Sequence, residues 1–226
     1  MPIGPFGVRS ALVFGVALTL LMARVSGAPP ARHQFSADIV SRDVAGRVTG
    51  SARLYVADRR VRIETTEASA GFFLIDGATD TALFVRPAQR VFMDAKRSTP
   101  LTQIFVPVDS NHPCRAWQAA AQNADVPGAG GHWHCARIDA VSISRHPTFE
   151  YDVISPDRTQ SRRWIDPELA FPIKVRGADG ATIALEHLRV GPQPQSLFAV
   201  PPSFNKLEPQ ALIDRIKQSD VWAGGN

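Results

Sequence analysis

From Gln34 onward the chain alternates apolar and polar residues with a period of two, segment after segment, and this constrains the fold more than any other feature. In "QFSADIV", Phe35, Ala37 and Ile39 fall on one side; in "SARLYVAD", Ala52, Leu54 and Val56 do; in "VRIETT", Val61 and Ile63 face one way, Arg62 and Glu64 the other. Successive side chains of a strand point to opposite faces, so the pattern describes antiparallel strands covered on one side only. "GFFLIDG", "TALFVRP" and "RVFMDAK" continue the meander across the turn-forming "DGATD" and "RPAQR".

The middle of the chain differs. "STPLTQIFVPV" opens with Ser98 or Thr99 as a cap and Pro100 at an early position, which predicts a short helix carrying Leu101, Ile104 and Phe105. The alanine-rich "CRAWQAAAQNA" predicts a second helical piece, and "DVPGAGG" a flexible loop. Strands resume in "HCARIDAVSI", "TFEYDVIS", "SRRWIDPE", "FPIKVRG" and "ATIALEHLRV"; a closing helix is expected over residues 207–219, with Leu212, Ile213 and Ile216 as its apolar stripe.

The count comes to about ten or eleven strands and two or three helices. A large antiparallel sheet with one apolar face must curl or be covered, because a flat one leaves that face in water. The expected fold is therefore mainly β (α+β): a curved antiparallel sheet with two or three covering helices. So few helices are expected to leave its hollow incompletely filled, as a cavity for an apolar ligand. Leu54, Val56, Val61, Ile63, Phe73 and Leu83 are the candidates for its sheet wall, with Ile104 and Phe105 from the covering helix and Arg59, Arg60 and Arg62 at the rim. Aromatic residues such as Phe72, Phe84, Phe92, Trp164, Phe171 and Phe198 either line such a pocket or make ordinary sheet core.

The start reads as a secretory leader: Arg9, an apolar run from Ala11 to Met22, then "ARVSGA" with small Ser26 and Ala28 before the cleavage point. The run is too short to span a bilayer, which takes about 20 residues. Residues 1–28 are thus expected as signal peptide and 29–226 as one soluble, periplasmic domain. No cysteine follows the cleavage point to carry a lipid. Loss of the leader leaves 23 basic against 21 acidic residues. That balance excludes a concentrated basic face for nucleic acid. The basic residues are interspersed with acids in "ADRRVRIETTE" and "PDRTQSRRWIDPE", which are the candidates for contact with an anionic lipid head group.

Export also decides the cysteines. An oxidising compartment favours pairing Cys114 with Cys135, closing a loop over 112–136. The competing reading takes His112, His132 and His134 with the two thiolates as copper or zinc ligands, which a disulfide would preclude. Otherwise no metal or other cofactor is called for. No G-x-S-x-G, H-E-x-x-H, P-loop or G-x-G-x-x-G is present, so no catalytic residue is assigned and the expected chemistry is binding.

"GSARLYVADRRVRIE" followed by "FLIDGATDTALFVRPAQRVFMD" resembles the early meander of the LolA-like fold, shared by the periplasmic outer-membrane lipoprotein carrier and the amino-terminal domain of the RseB/MucB regulators. "STPLTQIF" resembles the short helix that follows, and "RRWIDPELAFPIKVRGADGATIALEHLRV" the later hairpins. "LFAVPPSFNKL" is similar to the closing strand, which would insert Leu197 or Phe198 and Val200 into the apolar face. The resemblance implies a curved antiparallel half-barrel whose concave face, lidded by helices, holds a lipid or lipoprotein acyl chain. Its regulator branch implies instead a module that senses peptide or lipopolysaccharide and acts on a membrane-anchored envelope protein. The carrier's lid is held by an arginine in the turn after the second strand, and Arg59 or Arg60 stands there, without the neighbouring proline. The disulfide loop is an addition that points to a sister family, not the carrier proper.

Overall fold

The structure, a computed structural model, describes residues 1, 33–65, 71–95 and 99–208. All but the first residue of the expected leader and all but the first two of the expected closing helix lie outside them. Twelve strands form one sheet: β1 (Gln34–Arg42), β2 (Val48–Ala57), β3 (Arg60–Thr65), β4 (Phe72–Asp76), β5 (Thr81–Arg86), β6 (Val91–Asp94), β7 (His134–Ile143), β8 (His146–Ile154), β9 (Gln160–Asp166), β10 (Phe171–Arg176), β11 (Thr182–Val190) and β12 (Asn205–Lys206). Two helices, α1 (Pro100–Ile104) and α2 (Pro113–Asn123), come between β6 and β7. The order across the sheet is β12-β6-β5-β4-β3-β2-β1-β11-β10-β9-β8-β7. Two antiparallel meanders, β1 to β6 and β7 to β11, are therefore joined where β1 pairs with β11. Among the described residues the two edges, β12 and β7, do not meet, and the sheet stays open.

Register carries the alternation from strand to strand. Leu54 faces Ile63, Val56 faces Val61, Val61 faces Ile75 and Ile63 faces Phe73, so these side chains share one face. Phe35, Ala37 and Ile39 of β1 extend it opposite Val56, Leu54 and Ala52. The opposite face carries ion pairs: Arg42 with Glu186, Arg53 with Asp38, Arg62 with Glu64. Trp117 of α2 lies 4.1 Å from the Arg163 guanidinium of β9, while Asn123, six residues on in the same helix, reaches the Asp80 carbonyl in the turn after β4, although six inter-strand steps separate β4 from β9. In a flat sheet that is about 29 Å. The sheet is curled around its apolar face.

Candidate functional site

The concave face is occupied in two halves. Over the first lies α1, whose local sequence explains its placement. Thr99 caps it, accepting from the Thr102 amide at 3.3 Å while the Thr102 hydroxyl oxygen accepts from the Thr99 amide at the same distance, and Pro100 supplies the first residue. One turn later the chain drops Phe105, fully buried, onto the sheet, where its ring stacks at 6.3 Å on Phe171, which in turn meets Phe35 edge-on at 5.2 Å. Leu54, Val56, Val61 and Ile63 are at most 1% exposed beneath this layer, with Phe73, Leu101 and Ile104 half-buried around it. Under α1 the hollow expected from the helix count is therefore filled by the chain's own side chains, while beside it Ile173, Leu185 and Leu188 line a cavity of about 280 Å³. Five residues of helix suffice because three aromatic rings supply the volume.

Over the second half lies α2. Trp117, 1% exposed, packs with Ala120 against Tyr151, Val153 and Ile165, and its indole N–H donates to the Ile104 carbonyl at 3.3 Å, tying α2 to α1. A disulfide between Cys114 and Cys135 fastens the start of α2 to β7. The segment between α2 and β7, expected as flexible, is a series of hydrogen-bonded turns: Val126 N to Ala121 O, Ala129 N to Val126 O and Gly131 N to Gly128 O, with Trp133 Nε1 on Ala129 O. Gly128 takes φ +76°, which its missing Cβ permits. Between these turns, both helices and β8 to β10 opens a cleft of about 300 Å³, whose walls include Ile104, Ala121, Trp133, Val153, Arg163 and Val175.

Several expected positions fall elsewhere. Leu83 is opposite Leu74 in register and packs with Phe72, Val85 and Phe92 on the outer face, so it is not a wall of the hollow. β5 is apolar on both sides, because residues 191–208 cross the outer face as a strap and pack half-buried Val200 and Phe204 there. The expected closing strand is thus a 3-10 turn at Gln195–Phe198 followed by an extended crossing, and only Asn205–Lys206 pairs, parallel to β6. Pro201 and Pro202 have no N–H to give a ladder. Arg60 and Arg62 hold this strap instead of a cavity rim. Arg60 donates to the Gln195 side chain and lies over the Phe198 ring; Arg62 donates to Leu197 O and lies 3.4 Å from the Phe72 ring centroid. Arg59 alone of the three stands at the helix end, beside Ala116 and Ala119 of α2 with its guanidinium on Gly77 O.

The loop histidines do not converge. His112 precedes α2 and bonds Asp109 at 3.0 Å; His132 and His134 are exposed, and the disulfide removes both thiols. Among the described residues no three His, Cys, Asp or Glu side chains come together as a metal site. Backbone N–H of Asn111, then His112, hold the Asp109 carboxyl below its ordinary 3.8.

Comparison with known proteins is informative at the level of structure. No protein-family profile matches the chain, and no curated protein matches it. Among solved structures, PNGF-II matches with a TM-score of 0.50 at 8% identity over 82% of this chain. This chain spans 33% of that one. MucB of Pseudomonas aeruginosa, in its complex with MucA, matches with a TM-score of 0.42 at 12% identity over 77% of this chain and 58% of the other. A LolA superfamily protein from Nitrosomonas europaea matches with a TM-score of 0.35 at 14% identity over 74% of this chain and 90% of the other. These likenesses are of fold alone. The mainly β architecture expected from the sequence, one large open sheet with covering helices, is borne out.

Proposed function

We propose that this chain is an exported, periplasmic binding protein without covalent chemistry, residues 29–226 forming its mature domain, which takes an acyl chain of a lipid or lipoprotein on the concave face. One observation carries the reading: the side chain that completes the core at the open side of the sheet, Phe105, comes not from the sheet but from the end of a five-residue helix. α1 is then a plug that a ligand replaces. Moving it exposes Phe105, Leu101 and Ile104 to water, at a cost of at most roughly 3 kcal/mol each. Burying an acyl chain returns about 0.8 kcal/mol per methylene, so roughly a dozen methylenes balance the plug. Long chains exceed that threshold and short ones do not. No helix among the described residues is long and apolar enough to cross a membrane.

The test uses neutral acylated peptides, retained through size exclusion, together with extraction and mass spectrometry of the protein as exported. Palmitoylated peptide should be retained and its octanoylated counterpart not, and Phe105→Ala should shift the threshold to shorter chains. If neither form retains any acylated peptide and the extract holds no acyl species, the proposal fails.

A second reading is favoured by the edge strand. β7 has no strand on its outer side among the described residues and exposes Ile138 at 46%. A membrane-anchored envelope protein could add a strand there, making the chain an interaction module. Photo-crosslinking from position 138 in cells separates the two: a single membrane-protein adduct supports this reading, and its absence leaves the carrier.

A further inference from the structure

Arg163 is a cation that the fold has left without an acid. β9 places it on the concave side, in register with Tyr151 of β8 and Val175 of β10. The Trp117 ring covers it, 4.1 Å from guanidinium carbon to ring centroid. Its hydrogen bond runs from Nε to Ser161 Oγ at 3.3 Å, and no carboxylate among the described residues stands within ion-pair distance. Arg162, one position earlier and on the other face, pairs with Glu150 at 2.9 Å. A half-buried charge without a counter-charge costs free energy that a bound anion would recover. Burial pulls the guanidinium down to about 10, still well above neutrality, so it stays charged.

The cleft around it is apolar. Ile104, Ala121, Val126, Trp133, Val153 and Val175 contribute to its walls, and its volume of about 300 Å³ sits at the lower end for small-molecule sites. Asp157, on its rim, spends both carboxylate oxygens on Ser155 and Thr159 of its own turn. A planar guanidinium fork in a greasy slot suits a carboxylate or phosphate joined to a hydrocarbon tail.

We infer that this cleft is a binding site for a small anionic amphiphile, with the head on Arg163 and the tail between α1, the 124–133 turns and β8. The site stands with the hollow under α1 closed, so it does not rest on the carrier proposal.

Calorimetric titration of the mature chain with decanoate, decyl phosphate, decanol and decylamine tests it. Decanoate or decyl phosphate should bind saturably, and whichever binds more tightly names the head group. Decanol and decylamine should be weaker by about tenfold or more. Arg163→Met should remove that preference and Arg163→Lys keep part of it. Because Arg163→Met touches the core, Val126→Asp at an exposed wall position gives a second arm: anionic ligand weakened several-fold, neutral acylated peptide unaffected. Equal affinity for decanoate and decanol, no binding of either anion, or anion affinity unchanged by Val126→Asp and by folded Arg163→Met, each overturns the inference.

Discussion

Arg62 donates through Nη1 to the carbonyl oxygen of Leu197, 3.0 Å away across 135 positions of sequence. The same guanidinium meets Glu64 at 2.7 Å and stacks on Phe72. One side chain on the outer face of β3 therefore fixes the strap that covers Leu74 and Val85.

Replacing Arg62 should release that strap. A charged hydrogen bond at a side chain only 15% exposed makes Arg62→Ala cost about 2 kcal/mol in urea unfolding. Limited proteolysis should then cut between residues 195 and 205 first. Arg60→Ala, at the more exposed neighbour, should cost under about 1 kcal/mol and leave the cleavage pattern unchanged. Equal effects of the two would mean that Val200 and Phe204, not the arginines, hold the strap.

Phe105→Ala should destabilise the protein by roughly 3–5 kcal/mol, since it empties a fully buried aromatic site in contact with Phe171. The carrier reading adds a second outcome from the same variant, tighter retention of palmitoylated peptide. Loss of stability without any gain in retention would make Phe105 ordinary core.

How far these positions were legible depends on whether a side chain's surroundings are local. Leu54 and Ile63 could be placed on one inner face because period-two alternation in β2 and β3 is unbroken and polar residues mark the other side. Leu83 could not: "TALFVR" is apolar on both faces, and what covers its outer face arrives more than a hundred residues later. The arginines of β3 read as a cavity rim for the same reason. Arg163 lay within a basic cluster, and only its phase, two positions from the fully buried Ile165, placed it inward. That the hollow was filled could not be read from helix count, because one ring from α1 and two from the sheet, Phe35 and Phe171, close it.

Reduction of the Cys114–Cys135 bond, which spans 21 positions, should cost about 3 kcal/mol by the chain-entropy estimate. It should also loosen α1, because Trp117 of the freed α2 holds the Ile104 carbonyl. Hydrogen exchange should therefore show faster exchange at Phe105 N–H, which bonds Leu101 O, in reduced protein. Unchanged protection there, with global stability lowered, would uncouple the two helices.

Acid should weaken the protein through Asp38. Arg53 donates to its Oδ1 at 2.6 Å and His187 approaches its Oδ2 at 2.9 Å; the Arg53 bond above all, opposed by burial and aided by the His187 bond, holds the carboxyl below its ordinary 3.8. A carboxyl with a lower pKa folded than unfolded adds stability that is fully present above the unfolded value, and this is lost as pH falls through the folded one. Asp43, Asp109 and Asp157 are depressed as well, by backbone and side-chain donors, so all four act in the same direction. The urea midpoint should hold on acidification until about pH 4 and decline below it. Asp38→Asn should lower the midpoint at neutral pH and make the acid decline shallower. It removes a group whose ionised form Arg53 of β2 and His187 of β11 hold in place, so an unchanged decline would assign the acid sensitivity to the exposed turn aspartates instead.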